Sequence, residues 1–259
     1  MDLKKVLVRD PEQRPLPLTF EERFQMIIPE NNEMQMDLDL LHEFAVDKQL
    51  IVKEKKTQIM KINFSRSLDF PVELRMNGFK NNIEVITETK LLGIVISNNL
   101  KWDANTEYLC KKAYKKLWVL RRLKALKVDP SFILEVYTKE VRSVLELAVP
   151  AWHSGISKKL AIDIERVQKV AVGVILGKSL PYSVALAQLK LDPLYVRREA
   201  LCRKFAKKTS KSRHADIFTV NNQPYQTRHK ERFLHPICRT SRFYNSPVNY
   251  LTRILNAEK

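Results

Sequence analysis

Glycine is scarce, at five residues in 259. The chain accordingly has no G-x-x-x-x-G-K-[ST] loop to cradle phosphates, no G-x-G-x-x-G dinucleotide fingerprint and no G-x-S-x-G nucleophile elbow. Cysteine is scarcer still. Cys110, Cys202 and Cys238 lie far apart with no C-x-x-C or Cys-His pairing, which excludes a zinc knuckle and a disulfide framework and leaves ordinary thiols. No apolar run reaches bilayer length, and the opening MDLKKVLVRD lacks the apolar core of a signal peptide. An intracellular protein with no membrane partner is therefore expected. Nowhere does the sequence contain an Asp-Asp pair.

Positive charge is what the chain has in excess. Lysine and arginine number 46 against 29 acidic residues, a formal net charge of +17, in a sequence that is 44% hydrophobic. The apolar material suffices for one large or two small cores. The charge favours a polyanionic partner over small acidic molecules.

Prolines 11, 15, 17 and 29 break up residues 1–32, which read as an extended lead-in. Apolar residues recur at helical spacing from Glu33 to Lys48. TQIMKINF, from Thr57 to Phe64, alternates as a strand, and KLLGIVISNN reads as a second strand in which Gly93 marks a bulge or a close backbone approach. Residues 33–99 thus form a small α/β region, and residues 100–210 a helical bundle. In the bundle Asp129 and Pro130 open one helix, Ser157 and Gly177 bound another, and Asp192 and Pro193 open the last. Residues 211–259 read as a basic, loosely structured tail. The expected fold class is α+β, with a small region of helix and strands followed by a mainly helical bundle.

Residues 109–127, LCKKAYKKLWVLRRLKALK, carry eight lysines and arginines and no acid. At about 100° per residue, Lys111, Lys115, Trp118 and Arg122 stack along one helix face, while Leu109, Ala113, Leu117, Leu120 and Leu123 form the opposite, inward stripe. Cations at this spacing can follow phosphates, and an indole among them can stack on a base. The bland alternative is a solvated face with Trp118 packed on a loop. A second basic run, RREALCRKFAKKTSKSR, repeats the pattern and contributes Arg203 and Lys207.

Candidate chemistry is sparse. His214 and Asp216 form a His-x-Asp pair that could be completed by His229 or His235, but they fall in the proline-containing tail, outside any strand. Asp37 and Asp39 point about 200° apart on a helix and cannot share a metal there. No complete catalytic set is present.

In order, VKEKKTQIM, then TKLLGIVISNNLKWDANTEYLCKKAYKKLWVLRRLKAL, then EVYTKEVRSVLELAVPAWHSGISKKLAIDIERVQKVAVGVILG resembles the reverse transcriptases of non-LTR (LINE-type) retrotransposons. The resemblance spans roughly residues 30–205, with the lead-in and the ending RFYNSPVNYLTRILN matching more loosely. It implies that Lys55, Lys56 and Thr57 close the palm near the template and nucleotide. It places Leu91, Leu92 and Gly93 in a primer-grip hairpin, and it has Trp102 open a thumb whose basic helix faces template–primer nucleic acid. RNA or DNA would then be held through its backbone, without base specificity. Plain core packing is the alternative for Leu91 and Leu92, and a solvated turn for Lys55 and Lys56.

Members of that family hold two divalent metal ions, of the magnesium type, with aspartates that include an adjacent pair. This chain has no such pair, so the resemblance implies the end of a palm, a thumb and a tail that bind nucleic acid without catalysis and hold no metal. An inert reading frame left by a decayed element and a co-opted binding module are the alternatives. Palm strands without their neighbours would leave open edges that self-associate. Better solubility is expected of a chain spanning about residues 100–210.

Overall fold

A computed structural model describes residues 31–62, 73–178, 180–221 and 232–257. The fold is mixed α+β and mainly helical, as the sequence pattern requires. It divides into two compact units, one ending at Glu88 and the other beginning at Thr89, so the division falls ahead of the expected boundary at residue 99.

In the first unit, helix α1 (Asn31–Asp47) is followed by a 3-10 turn (Glu54–Lys56), strand β1 (Gln58–Met60) and strand β2 (Glu84–Ile86). The two strands pair in parallel, with Gln58 opposite Glu84 and Met60 opposite Ile86. The expected strand from Thr57 to Phe64 is thus cut short. Its partner offers only three residues, and Lys61 and Ile62 lie beyond the ladder, while residues 63 and 64 fall outside the described residues. Met76, Phe79 and Ile83 form a small core with Leu38, Val52 and Ile59. Met36, Val46, Ile51 and Val85 remain exposed.

The second unit opens within a hairpin of β3 (Glu88–Leu91) and β4 (Ile94–Ser97), of which all but Glu88 belongs to it. This corrects the single bulged strand expected over KLLGIVISNN. Leu92 at φ 48° and Gly93 at φ 89° both take left-handed backbone, which reverses the chain in a two-residue type I′ turn. A Cβ on Gly93 would also lie 3.0 Å from Leu147 Cδ2, so glycine answers two constraints there. The Asn105 side chain accepts from the Val95 backbone N–H at 3.0 Å, tying the hairpin to the helix that follows.

That helix, α2 (Asp103–Ala125), carries the basic run. After it come α3 (Pro130–Val136), π-helical turns (Tyr137–Arg142), α4 (Ser143–Leu145), α5 (Val149–Trp152), α6 (Lys158–Leu176), α7 (Tyr182–Leu189) and α8 (Leu194–Thr209). Three of the expected helix ends are where the sequence puts them, while the last bundle helix starts at Leu194 with Pro193 at the cap position and no capping bond from Asp192. Asp129 accepts from the Ser131 backbone N–H with Pro130 at the first helical position, Ser157 accepts from that of Leu160, and Gly177 ends α6 in the left-handed region at φ 67°. Leu109, Ala113, Leu117 and Leu120 of α2 pack with Ile164, Val167, Ala171 and Ile175 of α6 and with the fully buried Trp152 in one core.

The loosely structured tail expected over residues 211–259 is corrected for its described part. Helices α9 (Ser241–Tyr244) and α10 (Pro247–Ala257) fold there, and Phe218, Phe233, Leu251 and Leu255 join the main core. Val220 and Phe233 form an antiparallel bridge, and the Asn256 amide both donates to and accepts from the Phe233 backbone. Buried apolar side chains and satisfied backbone groups are what an ordered segment needs.

Candidate nucleic-acid interface

The faces of α2 separate as its periodicity predicts. Lys111, Lys115, Trp118 and Arg122 are exposed, while Leu109, Ala113, Leu117 and Leu120 are buried and Leu123 is half-buried. Lys112, Tyr114 and Arg121 are also exposed. Tyr114 and Arg121 lie within about 60° of Trp118 on the helix wheel, a signal available from the sequence and missed by following too narrow a stripe. Trp118 is 65% exposed and Tyr114, one turn earlier, is 40% exposed.

The absence of any acid beside the ridge needs correction. Glu107, just outside the basic run, lies 2.6 Å from Lys111 Nζ at the favourable i,i+4 spacing, and its carboxyl is held below the usual range by that hydrogen bond. On the helix flank, half-buried Lys116 meets Glu140 at 2.6 Å. Lys124 is structural, since its ammonium donates to the Ile175 carbonyl at 2.8 Å in the last turn of α6, where cations complement the helix dipole. Beyond Glu107, α2 contains no acid, so Lys115, Arg121 and Arg122 are left as the cations around Trp118.

The second basic run is only half a surface. Arg203 and Lys207 are exposed on α8 beside Lys204. They border a shallow groove of about 490 Å³ with Val196, Glu199 and Ala200. Arg203 also borders one of about 390 Å³ with Tyr250, Arg253 and Ile254 of α10. Arg197 instead turns inward and grips Glu146 through Nε and Nη2 at 2.5 and 3.2 Å. Arg198 is buried, with Nε donating to His153 Nδ1 at 3.3 Å. These two arginines organise the bundle rather than a binding face.

His153 gives that buried pair a pH signature. Burial, and then the adjacent Arg198 guanidinium, hold the ring down to about 4, against 6.5 for a free histidine. Below pH 6.5 the unfolded chain takes up a proton that the folded chain refuses, so the ring's contribution to stability is complete above that value and declines as pH falls towards 4. Thermal midpoints should follow this course, and the decline should be smaller in His153→Gln, which keeps an acceptor for Arg198. An identical decline in the variant would assign the effect to other groups.

The remaining sequence-derived positions scatter. Lys55 and Lys56 are exposed in the 3-10 turn ahead of β1, and half-buried Thr57 donates its hydroxyl to the Lys53 carbonyl at 3.1 Å; all three lie in the first unit. Leu91 and Leu92 are not core, which corrects the packing alternative. The turn lifts them to the hairpin tip, where Leu92 is 91% exposed. Trp102 is half-buried at the start of α2 and packs on the core.

Among the described residues no cluster of side chains fits a two-metal centre. Among the described residues, no three of His, Cys, Asp and Glu gather closely enough to hold a metal ion. Asp39 accepts from Gln35 Nε2, and the His214 ring accepts from Arg213. His229 lies outside the described residues. The most connected polar cluster is also unsuited to acid–base work. Tyr137 donates to Gln168, whose amide donates to the Tyr182 oxygen, and Tyr182 in turn donates to Glu165. Burial raises both phenols well above their usual range, leaving them neutral hydrogen-bond donors. Burial likewise pushes the Cys110 and Cys202 thiols up to about 11 and about 12.

No protein-family model, curated protein or solved structure matches the chain.

Proposed function

We propose that the chain is the C-terminal portion of a reverse transcriptase of the non-LTR retrotransposon type, and that it holds nucleic acid along α2 without catalysing polymerisation. One observation carries the reading. The outward face of α2 presents exposed lysines and arginines with no acid beyond Glu107, over a helix whose other face is fully committed to the core. A phosphate backbone supplies the missing counter-charge.

The absence of an Asp-Asp pair supports binding without chemistry. Among the described residues no helix is long and apolar enough to cross a membrane. An intracellular location follows from the same reading. Among the described residues β1 and β2 pair only with each other, and Val85 of β2 is exposed, which supports self-association of the first unit as a secondary property.

Contacts to phosphates carry no base information, so strands of one length and different sequence should bind within about threefold of one another. Affinities measured by fluorescence anisotropy check this. Strong preference for one sequence, or extension of a primed template by the purified chain, would contradict the reading.

A further inference from the structure

The ridge on α2 contains a feature that phosphate binding does not require. Trp118 stands 65% exposed towards the C-terminal half of a 23-residue helix, and its indole makes no hydrogen bond or ring contact among the described residues. Tyr114 lies one helical turn before it, about 6 Å along the axis, and is also exposed. Lys111, Lys115, Arg121 and Arg122 all fall within about 60° of Trp118 around the helix. The surface is therefore two aromatic rings in file with cations on both sides. The other two tryptophans are accounted for by the fold: Trp102 packs on the core, and Trp152 is buried and donates to the Leu147 carbonyl at 2.8 Å.

A double helix has no use for such a file. Its bases are stacked inside, and a protein surface lying along it meets sugars and phosphates. A single strand offers both of its chemistries at once, because its phosphates can pair with the lysines and arginines while its bases turn in to stack on the rings. Every base has a π face, so stacking of this kind is tolerant of sequence, and guanidinium groups beside the rings add cation–π attraction. An acidic peptide would satisfy the charges but would leave both rings in water.

From this geometry we infer that the α2 ridge is a single-strand platform: Trp118, followed by Tyr114, stacks on unpaired bases while Lys115, Arg121 and Arg122 hold the adjoining phosphates. This rests on the nucleic-acid reading above and narrows its ligand to unpaired DNA or RNA. It also provides its own reporter, since Trp118 is the one tryptophan that such a ligand would cover.

The test uses the full chain, titrated with a 12-nucleotide thymidine oligomer, its RNA counterpart and a blunt duplex of equal length. Labelled-strand anisotropy and tryptophan emission are read together. Single strands should bind more tightly than duplex and quench the emission. Trp118→Ala should weaken single-strand binding about tenfold and duplex binding much less, and Trp118→Phe should restore most of the loss. Equal binding of duplex and single strand, or an unchanged affinity in Trp118→Ala, would overturn the platform and leave backbone binding intact. Binding of none of the three would remove the nucleic-acid reading, and the platform with it. Poly-glutamate bound as tightly as the oligomers, without quenching, would assign the ridge to acidic polypeptide and overturn both.

Discussion

Replacing Lys111, Lys115 and Arg122 together with glutamate should lower nucleic-acid affinity about 100-fold near physiological salt, because each lost phosphate contact forfeits the counterion release that accompanied it. The slope of affinity against salt should fall by about three. The three positions should not contribute equally. Lys111 already faces Glu107 at 2.6 Å, so its charge is partly answered within the helix, whereas no ion pair involves Lys115 or Arg122 among the described residues. Single reversals of Lys115 and Arg122 should therefore each exceed that of Lys111. Lys124→Met supplies the matched control. It removes a cation from the same helix, and with it the hydrogen bond to the Ile175 carbonyl, so it should lower the thermal midpoint and leave affinity unchanged. A folded triple variant that binds like the parent would show that the ridge is a solvated helix face.

A chain ending at Ser210 should fail to fold cooperatively, contrary to what the sequence suggests for residues 100–210. The cut removes Phe218, Phe233, Leu251 and Leu255 from the main core. Burial of side chains of this size is worth about 1.5–3 kcal/mol each, so the loss totals roughly 6–12 kcal/mol. A whole domain is typically stable by about 5–15 kcal/mol. The cut also uncovers the face of α8 that α10 packs against, and it removes the edge-on contact of Tyr250 with His153 in the 3-10 turn after α5, whose ring centroids lie 5.7 Å apart. Calorimetry decides the matter. A single sharp transition near that of the full chain would show that the C-terminal helices are ornamental.

These two expectations rest on different amounts of sequence information. The faces of α2 were legible because a 23-residue helix samples its period many times, and the caps at Asp129, Ser157 and Gly177 were legible because each works through its own side chain or its own backbone freedom. Strand β2 was not legible. Three residues with an exposed, exposed, half-buried pattern show no alternation, and a parallel partner 26 positions away leaves no local trace. The hairpin passed for one strand because its turn is Leu-Gly in place of the Asn-Gly that usually marks such a reversal. The π turns at Tyr137–Arg142 have no sequence signature, and the C-terminal helices looked loose because α10 buries Asn249 and Thr252 beside its leucines.

The site was half legible for a related reason. Helical spacing says which side of α2 faces outward but not which charges find partners. Glu107 could have been found from its i,i+4 distance to Lys111, whereas Glu140 reaches Lys116 from another helical segment. The basic run on α8 shows how far composition can mislead. Arg197 and Arg198 add to the count of positive charge, yet both turn into the bundle, to Glu146 and His153, and only the residues beyond them remain on the surface.

The claim that α2 lies along phosphates is tested most directly by the salt dependence of affinity for the unmodified chain. If four to six phosphates are neutralised, the logarithm of the association constant should fall with the logarithm of salt at a slope of roughly −3 to −5. A slope near zero, with affinity retained at high salt, would contradict it.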